Sequence, residues 1–277
     1  MPELPEVETV VRTLRPELVG RTILSVWSSG KPLRMRRGLD APALERACQG
    51  ACVLHVLRRA KYILIELEHT RRGSSTVIVH LGMTGRLRVE RSHAPLTKHT
   101  HVVWALSGGS ELRFVDPRRF GWVTLAADPR DPPELARLGP DAHTETDAAS
   151  LAAALAQSSA PIKSFLLDQR RIAGLGNIYV CEALFRARVH PRLKARSVRR
   201  RAALLVQSIR QTLDIGIANC GTSFRDFVDA NGAPGRNMEA LLVYGREGEP
   251  CRTCGRPIRR AIDAGRSTFF CGRCQKR

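Results

Sequence analysis

No stretch of this chain is apolar for long enough to span a bilayer, which excludes an integral helical membrane protein. A secretory leader is also missing: the first residues alternate proline with glutamate instead of following a basic start with an apolar run, and this predicts a cytoplasmic protein. No internal repeat is present, so solenoid architectures fall away. Acidic residues are in short supply, 26 Asp and Glu against 45 Lys and Arg, for a net charge of +19 and a pI near 10.8. A surface so biased favours a polyanion and releases counterions on binding it. Length and an apolar content of 43 % suit a globular protein with more than one core.

The chain opens as a helix. Pro5 suits a first helical position, Glu6 and Glu8 suit its positive end, and Val7, Val10, Val11, Leu14 and Leu18 recur at helical spacing before Gly20. From Thr22 to Leu125 the pattern turns to short apolar or alternating runs: Thr22–Trp27, Cys52–Leu57, Tyr62–Leu67, Val77–Leu81, Arg86–Glu90, His101–Leu106, Glu111–Val115 and Trp122–Leu125. Glycine and Asp-Pro turns separate many of them, which predicts an antiparallel sandwich or barrel. The segment 126–150 is rich in Asp and Pro and reads as a connection. Helices are then expected over Leu151–Ala156, Ile162–Gln169, Ile178–Ala187, Val198–Ile217 and Phe224–Asp229. The fold class is therefore α+β and multidomain: residues 1–130 as an N-terminal β-sandwich with a leading helix, 131–150 as linker, 151–240 as a helical domain, and 241–277 as a small β-hairpin unit.

Of eight cysteines, Cys48, Cys52, Cys181 and Cys220 are scattered and read as buried free thiols. The other four form two pairs, Cys251-Arg-Thr-Cys254 and Cys271-Gly-Arg-Cys274, sixteen residues apart. That spacing fits one structural zinc ion held by four thiolates, with paired redox dithiols as the alternative. Between the pairs lie Arg256, Arg259, Arg260 and Arg266, so the metal would hold a basic hairpin rigid for phosphate contact. In the helical region, Gly174-Leu-Gly176-Asn177 reads as a tight turn with Asn177 capping the helix that follows, and the free amides of such a helix start form an anion site. An ordinary capped helix hairpin is the alternative.

Taken together, these motifs resemble the bacterial formamidopyrimidine-DNA glycosylase family (MutM) along nearly the whole chain. The resemblance rests on Pro2-Glu-Leu-Pro-Glu-Val-Glu-Thr9, Arg59-Ala-Lys61-Tyr62, His80-Leu-Gly-Met83-Thr-Gly85, Lys98-His99, Asp116-Pro-Arg-Arg-Phe-Gly121, Gly174-Leu-Gly-Asn-Ile-Tyr179 and the four cysteines. It implies a β-sandwich, a helix-two-turn-helix domain and a zinc finger, with damaged double-stranded DNA in the cleft between. It implies excision of 8-oxoguanine and formamidopyrimidines, followed by strand cleavage through β,δ-elimination.

The same resemblance assigns the site residues. Pro2, freed once Met1 is removed, is the nucleophile; an α-amino group titrates at about 7.7–8.0, so a useful neutral fraction exists near neutral pH. Glu3 is the acid and Glu6 supports the N-terminus. Lys61 is the proton donor for β-elimination and Arg266 the donor for δ-elimination, although a guanidinium suits phosphate contact better than proton transfer. Met83, Arg118 and Phe120 fill the void left by an extruded base. His99, Arg118, Lys163 and Asn177 contact the DNA backbone, and Cys251, Cys254, Cys271 and Cys274 bind zinc. The protein is expected to act as a monomer, associated with the nucleoid while working. Two departures stand out: Gln157-Ser-Ser-Ala-Pro161 lacks a basic run the family often carries before Lys163, and the lesion-recognition segment from Cys220 to Asn237 differs near both ends. The alternatives are an oxidised-pyrimidine glycosylase of endonuclease VIII type and a non-catalytic zinc nucleic-acid binder.

Overall fold

The computed structural model describes residues 2–33, 40–126, 135–224 and 226–276. Helix α1 (Leu4–Leu18) starts one residue before Pro5, with Glu3 as its N-cap. Its buried stripe is the one the spacing predicts: Val7, Val10, Val11, Leu14 and Leu18 are all at most 1 % exposed. Gly20 follows the helix at φ +82°, a conformation glycine adopts without a Cβ clash.

All eight expected strands form: β1 (Ile23–Ser28), β2 (Cys52–Arg59), β3 (Tyr62–His69), β4 (Gly73–His80), β5 (Arg86–Arg91), β6 (Thr100–Leu106), β7 (Ser110–Val115) and β8 (Trp122–Ala126). They make two four-stranded antiparallel sheets, ordered β1-β6-β7-β5 and β2-β3-β4-β8. The alternating apolar residues of both sheets, among them Val56, Ile63, Ile65, Val77 and Val79 from one and Val102, Trp104, Leu112 and Phe114 from the other, share one core with α1. This is the sandwich with a leading helix that the alternation predicts.

A further helix, α2 (Ala41–Cys48), escaped the sequence reading. Its signals are present: Asp40 caps it by accepting from Ala43 N at 2.9 Å, Pro42 lies in the first turn, and Leu44 and Cys48 are buried.

Helices α3 (Ala148–Ala156), α4 (Ile162–Leu167), α5 (Asn177–Arg186), α6 (Ala195–Val198) and α7 (Ala202–Ala218) follow, then a hairpin of β9 (Arg259–Asp263) and β10 (Arg266–Phe270). The expected helix Phe224–Asp229 does not form among the described residues of that span. Ser223 Oγ donates to Phe227 O at 2.7 Å and accepts from Gly235 N, while Asp229 Oδ1 accepts from Asn231 N and Ala233 N. Such bonds from short side chains to nearby backbone groups hold 223–235 in local turns, the conformation that Ser and Asp favour over helix.

Two compact units result. One contains the chain up to Arg137 together with Asn219–Arg236; the other contains Leu138–Ala218 and Asn237–Arg277. The sequence boundaries at 150 and 240 do not mark this division: the zinc hairpin packs with the helices, and the 219–236 segment packs with the sandwich. A hydrogen bond from Ala230 N to Thr13 Oγ1 and one from Arg86 Nε to Asp226 O tie that segment to its unit.

Candidate active site and zinc centre

Pro2, Glu3 and Glu6 are all buried, Glu3 at 3 % and Glu6 at 1 % exposure. Glu3 N donates to Glu6 Oε2 at 2.8 Å, one half of a reciprocal capping box that fixes the start of α1. The other carboxylate oxygen of Glu6 accepts from Thr222 N at 2.7 Å. Glu6 therefore joins the first helical turn to the 220–237 segment through one buried carboxylate. Gly221 sits at φ +80°, and an added Cβ would lie 3.0 Å from Glu6 Cγ and from the Phe227 ring. A larger residue there would push Glu6 out of place.

Lys61 occupies the two-residue turn between β2 and β3 and is 7 % exposed. Its neighbour Ala60 has φ +52°, a strained conformation for a residue with a Cβ. Cross-strand registers Tyr62↔His80 and His80↔Trp122 put three rings on one face beside it, with centroids 5.0, 5.7 and 6.0 Å apart. His80, unassigned in the sequence reading, belongs to the neighbourhood of Lys61. Burial, and then the Lys61 ammonium, draw its pKa down to about 4. Its Nδ1 accepts from Gly82 N at 3.2 Å, which fits a neutral ring.

This makes a pH prediction. An imidazole in the unfolded chain titrates near 6.5, above the folded value. The unfolded state therefore takes up the proton first, and the contribution of neutral His80 to stability is lost as pH falls from about 6.5 towards 4. His80→Asn, which keeps an acceptor near the Nδ1 position, should flatten that decline in urea midpoints. An unaltered acid limb in the variant would contradict the assignment.

The three residues that the resemblance assigns to void filling lie on two abutting turns. Met83 is 40 % exposed, Arg118 is exposed and Phe120 half-buried, and the Arg118 guanidinium lies 4.5 Å from the centre of the Phe120 ring. A Cβ on Gly82 would fall 2.4 Å from Phe120 C and Gly121 N, so the turns touch only because residue 82 is glycine. Asp116 clamps them: its fully buried carboxylate accepts from Thr84 Oγ1 at 2.5 Å, Arg118 N at 3.2 Å and Gly121 N at 2.7 Å. His99 is half-buried, and its carbonyl accepts from Asp116 N at 3.0 Å. His101 completes the clamp, with Nε2 3.0 Å from Asp116 O.

In the second unit the expected cap of α5 is not made by Asn177. Gly176 is the N-cap and Asn177 the first helical residue, with Gly174 at φ +104° supplying the turn. The Asn177 amide instead donates to Ser267 O at 2.9 Å, and Lys163 Nζ donates to the same carbonyl at 2.9 Å and to Thr268 Oγ1 at 2.8 Å. Both helices of the turn thus hold the strand directly after Arg266. Burial acts to raise the Asp263 carboxyl, but Thr268, Arg192 and Lys163 outweigh it and hold the pKa low. Arg266 itself is exposed, next to a hairpin turn in which Ala264 and Gly265 both have positive φ, the geometry of a type I′ turn.

The four cysteines are suited to a metal. All their Sγ atoms lie within 4.8 Å of one another, with Cys251–Cys274 at 3.9 Å and Cys254–Cys271 at 3.5 Å. A tetrahedral site with bonds of about 2.3 Å requires sulfur spacings of roughly 3.8 Å. Burial and three neighbouring thiols push Cys274 up to about 12, an arrangement that a divalent cation would stabilise as thiolates. The cysteines share a core with Cys181 and Phe185 of α5, Val243, Ile258 and Phe269. Two buried side chains that the sequence reading passed over secure this unit. Glu182 accepts from Leu242 N, Val243 N and Tyr244 N at 2.8–2.9 Å, and Gln275 joins Cys271 N to Val189 O.

Comparison with known proteins agrees with this arrangement. Residues 1–123 match the formamidopyrimidine-DNA glycosylase N-terminal domain, 138–228 its H2TH domain, and 248–277 the zinc finger found in FPG and IleRS. The formamidopyrimidine-DNA glycosylase of Pectobacterium carotovorum is 45 % identical over 278 residues, all of both chains. Wild-type Lactococcus lactis Fpg (MutM), solved with an N7-benzyl-Fapy-dG-containing DNA, superposes with a TM-score of 0.88 at 34 % identity over the full length of both chains. Lactococcus lactis Fpg with an abasic-site DNA gives 0.89 at 34 % identity, again over both full chains. Matched in all three modules and over its whole length, the chain belongs to the formamidopyrimidine-DNA glycosylase family.

Proposed function

We propose that the protein excises oxidised purines, 8-oxoguanine and formamidopyrimidines, from double-stranded DNA and then cleaves the strand at the abasic site. The observation that carries this reading is the buried Pro2-Glu3-Glu6 start of α1. A nucleophile has a reason to stand there: positive charge is disfavoured at a helix N-terminus, which raises the neutral fraction of the amine once Met1 is gone.

The lone pair of the Pro2 nitrogen attacks the sugar C1′, and the bond from C1′ to the base breaks with its electrons going to the base. Glu3 gives a proton to the sugar ring oxygen or to the departing base, and the ring opens to an iminium on Pro2. The iminium draws electrons from the neighbouring C2′–H, so a base can remove that proton and expel the 3′ phosphate; a second elimination expels the 5′ phosphate. Lys61 is the proposed proton donor in the first elimination. Arg266 is assigned to the second, with phosphate contact as its firmer chemistry. Met83, Arg118 and Phe120 occupy the space left by the extruded base. Lys163, Asn177, His99 and Arg118 serve the DNA backbone, the first two through the hairpin strand they hold. Zinc, when bound, supplies no reaction step; it holds that hairpin. Among the described residues no helix is long and apolar enough to cross a membrane, and the protein is proposed to act as a monomer in the cytoplasm, on the nucleoid.

Duplexes carrying 8-oxoguanine, an oxidised pyrimidine or no lesion, incubated with the protein and borohydride, provide the test. A covalent adduct is expected with 8-oxoguanine. Adduct only with the pyrimidine lesion would transfer the chain to an endonuclease VIII-type substrate class, and no adduct at all would leave only a DNA binder.

A further inference from the structure

Between Glu182 and Asp214 the chain has no carboxylate but nine cations: Arg186, Arg188, Arg192, Lys194, Arg196, Arg199, Arg200, Arg201 and Arg210. Six of them, from Arg188 to Arg200, are exposed. Arg192 pairs with Asp263 at 2.8 Å. Among the described residues, Arg188, Lys194, Arg196, Arg199 and Arg200 have no acidic partner within ion-pair distance.

These charges do not ride on a loose tail. Ile162 N donates to Leu193 O at 2.7 Å, Ala195 N to Ala160 O at 2.9 Å and Arg196 N to Ser158 O at 2.9 Å, so the segment is bonded along the approach to α4. Arg201 folds back onto the Ala187 carbonyl at 2.6 Å and leaves the outward positions to its neighbours. Fixing five cations without acidic partners within thirteen residues costs folding free energy through self-repulsion. A surface-bound polyanion offsets that cost.

The composition selects the polyanion. Four of the five are arginines, whose planar fork pairs with phosphate oxygens bidentately. No large apolar side chain is exposed from Arg188 to Arg200, whereas a membrane-surface segment needs an apolar face. The segment also adjoins the turn assigned to DNA contact, since Lys163 N donates to Pro191 O at 3.2 Å. We propose that the Arg188–Arg200 surface is an accessory binding site for the phosphate backbone of duplex DNA beyond the lesion, adding affinity without taking part in the chemistry. This rests on the DNA-glycosylase reading above.

The test replaces Arg188, Lys194, Arg196, Arg199 and Arg200 together with glutamine, beside a control carrying lysine at the four arginine positions. Binding to 8-oxoguanine duplexes of about 12 and about 30 base pairs is measured between roughly 50 and 200 mM salt. On the longer duplex the glutamine variant should show a log–log salt slope shallower by about two to four units, with affinity at least tenfold lower near 150 mM. The lysine control should keep the slope of the parent. Single-turnover excision from the short duplex at saturating enzyme should be the same in all three. Identical slopes for parent and glutamine variant on the longer duplex would overturn the proposal, as would a charge-dependent loss seen only with anionic phospholipid vesicles. Failure of the parent itself to excise the base would defeat the glycosylase reading instead.

Discussion

Changing Glu3 to glutamine should slow base excision by a factor of about 10²–10⁴, the usual contribution of a positioned general acid, while leaving the fold intact. The substitution separates two roles that one residue holds. Glu3 is the N-cap of α1: its carbonyl accepts from Val7 N at 3.0 Å, and its side chain takes part in the capping box with Glu6. Glutamine keeps the length and a carbonyl acceptor but cannot release a proton at neutral pH. Alanine would also lose the cap, at about 1 kcal/mol, and would confuse chemistry with helix fraying. Single-turnover excision from an 8-oxoguanine duplex, with thermal unfolding measured alongside, reads both quantities. A Glu3→Gln variant as fast as the parent would remove Glu3 from the reaction.

Removing zinc should weaken DNA binding by about a hundredfold or more and leave the sandwich folded. A structural zinc site of this type contributes on the order of 10–16 kcal/mol at neutral pH, far beyond the stability of a thirty-residue hairpin by itself. The cysteines also form part of the core around Val243, Ile258 and Phe269, so loss of the metal opens apolar packing as well as the knuckles. Arg266 and the strand gripped by Lys163 and Asn177 would lose their frame. The sandwich has a separate core built on α1 and both sheets and should keep its near-ultraviolet signature. Chelation followed by binding measurements, with metal content assayed, gives the answer; undiminished DNA affinity after complete metal loss would show the finger to be dispensable.

Much of this was legible in the sequence for definite reasons. Strands buried on one face alternate, so Ile63, Ile65 and Leu67 mark β3 without further help. The zinc site declares itself because four ligands lie in two short pairs. The start of α1 stands out because proline and glutamate at a helix N-terminus are a capping signal and, in the proposed reading, also a reactive set. Other features stayed hidden because their partners are remote. Glu182 looks like an ordinary polar residue until the chain returns some sixty positions later to present three backbone N–H groups to it, and Gln275 looks like one until its amide reaches the Val189 carbonyl, 86 positions back. Asn177 misled for a related reason: a cap is a local guess, and Ser267 O, ninety residues on, claimed the side chain instead. The 219–236 segment follows a long helix in sequence yet packs with the sandwich, and Glu6 bonding to Thr222 is the contact that local periodicity could not reveal.

The proposed reaction depends above all on the N-terminal proline as its nucleophile. Borohydride-trapped adduct, digested and sequenced by mass spectrometry, locates the sugar remnant directly. The remnant is expected on the nitrogen of Pro2 in protein that has lost Met1, with no adduct from protein that retains it. A remnant on Lys61 or any other lysine, or trapping by the Met1-bearing form, would contradict it.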